Sequence, residues 1–155
     1  MIFITVGTQI PFDRLLQMVD SIAPRLGGEE IVAQGCAGSY VPANFTTVRF
    51  LDPDRFEALL REARVVVAHA GIGTIMSAIE ARKPIVIVPR QASLGEHRND
   101  HQLATAAYMA SRTGLSVAHD ADELMRAIMT PVTPPALPAV AVSLVNALRK
   151  AIDEE

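Results

Sequence analysis

Val65-Val-Val-Ala-His-Ala-Gly-Ile-Gly-Thr74 decides how this chain folds. Val65 to His69 is a short β-branched run, apolar up to the histidine, which suits a parallel strand buried on both faces. Gly71 and Gly73 then let the backbone turn tightly, and Thr74 is placed to cap a helix running to about Arg82. A second apolar run, from Pro84 to Pro89, follows that helix. The first turn of such a helix carries about half a positive charge and unpaired N–H groups, so it holds an anion without help from a lysine. A diphosphate, and hence a nucleotide, is the expected occupant of the turn.

The same alternation extends in both directions. Strands are expected at 2–6, 31–35, 46–50, 65–69, 85–89 and 115–118, and helices at 12–24, 53–63, 74–82, 97–112, 121–129 and 139–152. Asp52 or Pro53 and Asp120 stand where helices should start. This pattern predicts an α/β protein, a Rossmann-like doubly wound parallel sheet of about six strands covered by helices on both faces. Ligands of such sheets sit at the carboxyl ends of the strands, which directs attention to the loops at 7–11, 35–40, 51–53, 70–73 and 90–97. Thr130-Pro-Val-Thr-Pro-Pro-Ala-Leu-Pro138 cannot continue a helix and reads as a stiff connector. The expected organisation is therefore a domain over 1–130, a Pro-rich connector over 131–138, and a terminal piece over 139–155. In that piece Val140, Ala141, Leu144, Val145, Leu148 and Ile152 recur at helical spacing and need burial, on the domain's own sheet, against a partner, or on both where the helix straddles an interface.

Composition narrows the function classes. A length of 155 residues fits one domain with a sizeable core. Half of the residues are apolar, 50%, and 20% are charged, giving a mean hydropathy of +0.25 that leaves room for a partner surface. A net charge of -3 without a basic cluster excludes nucleic acid as a partner, since phosphates must be neutralised by lysine and arginine. The single cysteine, Cys36, excludes a disulfide scaffold and a cysteine-ligated metal site, and a reducing cytoplasm is expected. The opening Met1-Ile-Phe-Ile-Thr-Val6 is too short for the apolar core of a signal peptide, and no run reaches the roughly twenty residues that span a bilayer. Any membrane link is expected to come through another component.

The loops carry the chemistry. Gly7-Thr8-Gln9 lacks the further glycines of a dinucleotide fingerprint, and no glycine-rich loop ends in Lys-Ser or Lys-Thr, so NAD binding and P-loop chemistry fall in rank. Thr8 and Gln9 are either donors to phosphate or sugar oxygens or parts of an ordinary strand-to-helix turn. Between Arg90 and Gln102 lies a dense polar cluster, in which Asp100 and Gln102 suit sugar hydroxyls and Arg90 or Arg98 suits negative charge. A capped, solvated helix start fits the same residues. His97 and His101, four apart beside Glu96, have a spacing that puts two imidazoles on one helical face, although a third metal ligand is missing. His69 fits either a phosphate contact or proton carrier, or a structural histidine closing an apolar strand. Hydrolase chemistry finds no support, because Cys36 has no evident base and Ser77 lacks a nucleophile-elbow setting.

At these residues the chain resembles the C-terminal, nucleotide-sugar-binding half of the family 28 glycosyltransferases, the group of the MurG-type N-acetylglucosaminyl transferases. Gly7-Thr8, Phe50-Leu51-Asp52, His69-Ala-Gly-Ile-Gly-Thr74, Lys83-Pro84 through Pro89, and Asp100-His-Gln102 follow the family's order and spacing across nearly the whole chain. Within the family the start Met1 to Thr8 and the run Glu96-His-Arg-Asn-Asp-His-Gln102 look most like the short PssE-like subunits of exopolysaccharide synthesis. The small subunit of the two-part UDP-N-acetylglucosamine transferase acting on dolichol-linked sugar is similar too.

The resemblance implies one half of a GT-B glycosyltransferase. Its implied site holds uracil against the backbone near Phe50 and Leu51, and diphosphate over Gly7, Thr8 and the turn Gly71, Ile72, Gly73 and Thr74. The donor sugar would lie near Asp100 and Gln102, where Arg90 or Arg98 would suit a sugar carboxylate. The family's ribose-gripping glutamate falls on Ser77 here. Glu80, three residues on and on roughly the same helix face, either takes over that contact or is a solvated charge. No cofactor or metal is implied, the UDP-sugar being the substrate. The expected activity is transfer of a hexosyl or glycuronosyl group to a lipid-linked saccharide acceptor. A membrane-anchored, PssD-like acceptor-binding subunit would supply the catalytic base and hold this chain at the cytoplasmic face of the membrane. The competing expectation is a non-catalytic nucleotide-sugar-binding module that regulates or scaffolds polysaccharide assembly. A self-sufficient hydrolase or epimerase ranks last, for want of a base.

Overall fold

A run such as Ile85-Val-Ile-Val88 offers apolar side chains to both faces of a sheet, and it is stable only where helices cover both. The computed structural model, which describes residues 1–130 and 134–135, meets that requirement. Its strands are β1 (Ile2–Thr5), β2 (Ile31–Gln34), β3 (Thr46–Val48), β4 (Val65–His69), β5 (Ile85–Val88) and β6 (Ser116–Val117). Its α-helices are α1 (Asp13–Ile22), α2 (Pro53–Glu62), α3 (Ile72–Glu80), α4 (His101–Thr113) and α5 (Ala121–Met129). The strands form one parallel sheet in the order β3-β2-β1-β4-β5-β6, as the alternating pattern requires. The connector at 131–138, Pro134 and Pro135 apart, and the expected helix at 139–152 lie outside the described residues.

The pleat divides the core in two. Ile2, Ile4, Val65, Val67, Val86 and Val88 face α1 and α5, where Leu15, Leu16, Val19, Leu124 and Ile128 complete one apolar cluster. Phe3, Val66, Ala68, Ile85 and Ile87 point to the opposite face and pack with residues of α2, α3 and α4, among them Leu59, Ile75 and Ala106. Register keeps the two sets apart, with Phe3 opposite Val66 and Val67 opposite Val86. On the second face Phe3 meets Phe56 of α2 edge to face, with ring centroids 5.4 Å apart.

The chain runs outward from β1 through β2 to β3, then returns to β4 beside β1 and proceeds the other way. The strand order therefore reverses between β1 and β4, and their carboxyl ends diverge into a crevice. Capping decides how each helix meets that edge. Asp52 accepts a hydrogen bond from the Arg55 N–H at 2.9 Å and Asp120 from the Glu123 N–H at 2.8 Å, so α2 and α5 begin with side-chain caps as expected.

Three boundaries depart from expectation. β3 stops at Val48 and is exposed along its length, which leaves Phe50 and Leu51 in the following loop. Helix α3 begins at Ile72, two residues before the expected start, with Gly71 as N-cap in an extended conformation; Thr74 lies inside the first turn and does not cap. Helix α4 begins at His101 because a short 3₁₀ turn, Ala92–Leu94, and Gly95 at φ 70° redirect the chain before it. His97 therefore sits in a loop, and the helical spacing that would pair it with His101 does not exist.

Candidate functional site

The crevice at the strand-order reversal encloses about 550 Å³, a volume in the range of small-molecule sites. Several chain segments meet there. The β1–α1 loop contributes Gly7, Thr8 and Gln9, with Ile10 beyond them. The end of β4 and the first turn of α3 contribute His69, Gly71, Gly73 and Thr74, and Ser77 follows one turn on. Phe50 and Leu51 form the third wall over Pro53 and Phe56, and Gln102 of α4 closes the side under β5.

Helix α3 differs from α2 and α5 in having no side chain at its start. Gly71 has no side-chain oxygen, and the first backbone bond along the helix runs from the Ile75 N–H to the Gly71 carbonyl at 3.1 Å. The amides of Ile72, Gly73 and Thr74 consequently have no acceptor within the helix. Gly73, which has only backbone to offer, lines the crevice. This end of the helix can accept an anion with its dipole and its N–H groups together.

Glycine is required at two points because His69 lies between them. A Cβ on Gly71 would stand 2.2 Å from His69 Nε2, and a Cβ on Gly7 would stand 2.9 Å from His69 Cε1. Gly7 also has φ 84°, a left-handed conformation that costs other residues energy. Below it, the Gly7 N–H donates to Thr5 Oγ1 at 3.3 Å, and Thr5 Oγ1 donates to Gln34 Oε1 at 3.2 Å, which joins the ends of β1 and β2. Burial, reinforced by the charge of nearby Arg90, lowers His69 to about 4. The imidazole is thus neutral at physiological pH. Its packing against both glycines makes it a spacer that sets the width between the two loops, and its Nδ1 is buried without a hydrogen-bond partner among the described residues.

Not every residue singled out from the sequence reaches the crevice. Ile72 is turned outward and 54% exposed. Asp100 does not line it; its Oδ1 accepts the Ala92 N–H at 2.8 Å and fastens the 3₁₀ turn to the start of α4. Glu80 lines an adjoining groove between α2 and α3 with Glu57 and Arg61, on the far side of Ser77. Ser77 itself lines the crevice, with its hydroxyl donating to the Gly73 carbonyl at 3.0 Å.

Arg90 lines the crevice but is no free cation awaiting a sugar carboxylate. It is 2% exposed, and its guanidinium donates to the carbonyls of Val6 at 2.9 Å, Ile10 at 2.6 Å and Pro11 at 2.6 Å. Burial lowers its pKa, opposed by Glu96, yet a guanidinium stays charged. Sequence reasoning passed over Phe56, Gln34 and His97 as lining residues. The buried Thr5 and Gln34 did carry a signal, since each is a polar residue ending an apolar strand at the functional edge.

Fold and site together define a Rossmann-like α/β domain with a crevice at its switch point, onto which the start of α3 opens without a side-chain cap. The chain belongs to a particular family of such domains: the family model described as the glycosyltransferase family 28 C-terminal domain matches residues 1–135. Among proteins of assigned function, the human UDP-N-acetylglucosamine transferase subunit ALG13 is 36% identical over 115 residues, 68% of this chain and 10% of that protein. Its Mus musculus counterpart is 35% identical over 106 residues, 62% of this chain and 9% of that protein. The chain therefore spans about a tenth of the length of these relatives. Among solved structures, Acinetobacter baumannii MurG superposes with a TM-score of 0.58 at 17% identity, covering 96% of this chain and 49% of MurG. A solution structure of ALG13 gives 0.57 at 16% identity, covering 86% of this chain and 87% of that chain. These likenesses carry the fold.

Proposed function

We propose that this chain is the donor-binding half of a glycosyltransferase, holding a UDP-sugar whose glycosyl group passes to a lipid-linked acceptor. The observation that carries the reading is the start of α3 at Gly71, which has no side-chain cap and faces the Gly7 loop across the switch-point crevice. On this reading the α3 amides and the Gly7–Thr8 loop receive the diphosphate, Phe50 and Leu51 flank the uracil, and Gln102 meets the sugar. The leaving diphosphate gains charge as the glycosidic bond breaks, and a fixed helix terminus stabilises that charge.

Transfer also needs a base for the acceptor hydroxyl. Among the described residues no carboxylate lines the crevice, His69, lowered to about 4, is a poor proton acceptor at neutral pH, and His97 is the other imidazole on its wall. A second, membrane-anchored subunit of the PssD-like kind supplies that base and the acceptor site, and brings this chain to the inner face of the membrane. Among the described residues no helix is long and apolar enough to cross a membrane. By likeness to the ALG13 subunits, UDP-N-acetylglucosamine is the first donor to try.

The test is titration with UDP and a panel of UDP-sugars, then a transfer assay with and without the co-expressed membrane partner. Micromolar binding of UDP, with transfer that requires both proteins and disappears in Gly73→Asp, is the expected result. A chain that binds UDP-sugar while the partner turns over normally without it is a regulatory module instead. Absence of UDP binding overturns both readings.

A further inference from the structure

The group around Arg90 has a composition that loop anchoring alone does not require. Phe12, 1% exposed, has the Arg90 guanidinium over its ring at 4.5 Å and that of Arg14 at 5.2 Å. Arg14 is held by a carboxylate: its Nε donates to Glu96 Oε1 at 2.6 Å and its Nη2 to Glu96 Oε2 at 2.9 Å. Glu96 Oε2 also accepts the Gln91 N–H at 2.9 Å. Arg90 has no carboxylate within ion-pair distance among the described residues, and the hydrogen bonds of its guanidinium go to carbonyls. Two cations and one anion thus leave one positive charge beside the crevice, with Arg90 buried and the Arg14–Glu96 pair partly exposed.

We propose that Arg90 is a positioning residue for a nucleoside diphosphate: its planar fork fixes the carbonyls of Val6, Ile10 and Pro11 so that the Gly7–Gln9 backbone faces the crevice, and its uncompensated charge draws the diphosphate there. This rests on the proposed UDP site. Carbonyls turned down onto the guanidinium leave the Gly7–Gln9 stretch of the loop to the ligand side. A lysine keeps the charge but not the fork, and a glutamine keeps part of the hydrogen bonding but not the charge.

Binding of UDP and of uridine to the full chain, measured calorimetrically at low and moderate salt, separates the possibilities. Arg90→Lys and Arg90→Gln are expected to weaken UDP by on the order of tenfold while changing uridine less than about twofold, because only the diphosphate interacts with the charge and the loop. The loss of UDP affinity on adding salt should be smaller in Arg90→Gln than in the parent. Equal weakening of UDP and uridine, or no change in either, overturns the proposal. If both Arg90 variants fail to fold, Glu96→Gln decides it. Removing the anion should tighten UDP by about threefold and leave uridine alone, whereas unchanged or weaker UDP binding overturns the proposal. A parent chain that ignores UDP altogether removes the donor-site reading, and this inference with it; a parent that binds UDP beside variants that match it removes this inference alone.

Discussion

Substituting alanine at Gly71 and at Gly73 should have opposite effects on stability, although the two glycines stand two residues apart at the start of one helix. At Gly71 the new methyl would lie 2.2 Å from His69 Nε2 and 2.9 Å from its Cδ2 and Cε1. The imidazole has little room to shift, since the Cε1–Nε2 edge that it turns toward Gly71 also stands against Gly7. Overpacking of this kind costs roughly 1–3 kcal/mol. Loss of a glycine N-cap adds about 0.5–1 kcal/mol, and the stiffer unfolded chain offsets about 0.4–1 kcal/mol. The net expectation is a destabilisation of roughly 1–3 kcal/mol. At Gly73 nothing lies within 4 Å of the Cβ position and the residue is helical, so alanine should stabilise by up to about 1 kcal/mol. Urea denaturation read by circular dichroism gives both numbers, and the His69→Ala background supplies the control. There Gly71→Ala should be nearly neutral, a coupling that only contact between the two side chains produces. Equal stability of Gly71→Ala and the parent, or the same penalty with and without His69, would refute the spacer role.

Other expectations follow from the same geometry. His69 is lowered to about 4 when folded, against about 6.5 when unfolded, so the unfolded chain takes up the proton first on acidification. Its contribution is complete above pH 6.5 and is lost as pH falls toward 4, by about 2–3 kcal/mol; urea midpoints between these limits should fall less steeply in His69→Gln, and identical slopes would contradict the assignment. Phe50 is 65% exposed at the crevice wall, so Phe50→Ala should leave stability within about 0.5 kcal/mol while weakening UDP binding measurably in calorimetry. Asp20 is 6% exposed; burial works to raise it, but bonds from the Tyr40 hydroxyl, the Ala43 and Asn44 N–H groups and Asn44 Nδ2 hold it at about 2. Asp20→Ala should destabilise by about 2–4 kcal/mol by releasing the 40–44 loop, measurable as a lowered urea midpoint, without removing UDP binding.

Much of this molecule follows from local chemistry written along the chain. Unbroken apolar runs such as Ile2-Phe-Ile4 and Ile85-Val-Ile-Val88 can exist only between two layers of helices, so the parallel sheet was legible before any coordinates. Asp52 and Asp120 marked helix starts because a carboxylate two or three residues ahead of free amides is a local device. The Gly71–Thr74 turn and the Gly7 loop were each legible as turns for the same reason, and the folded sheet brings them to one crevice.

What the chain alone did not decide were the contacts between its distant parts. Arg90 and Asp100 read as polar residues near a ligand, yet their partners are backbone groups 79–84 residues away for Arg90 in the β1–α1 loop and 8 residues away for Asp100. The early start of α3 and the late start of α4 came instead from short-range devices that apolar periodicity does not register, an N-cap glycine at Gly71 and a 3₁₀ turn that the Asp100 carboxylate fastens. Periodicity and capping act within a few residues and so are carried by sequence. The direction in which a buried charge points depends on which carbonyls the folded sheet brings around it, and only the assembled tertiary structure fixes that.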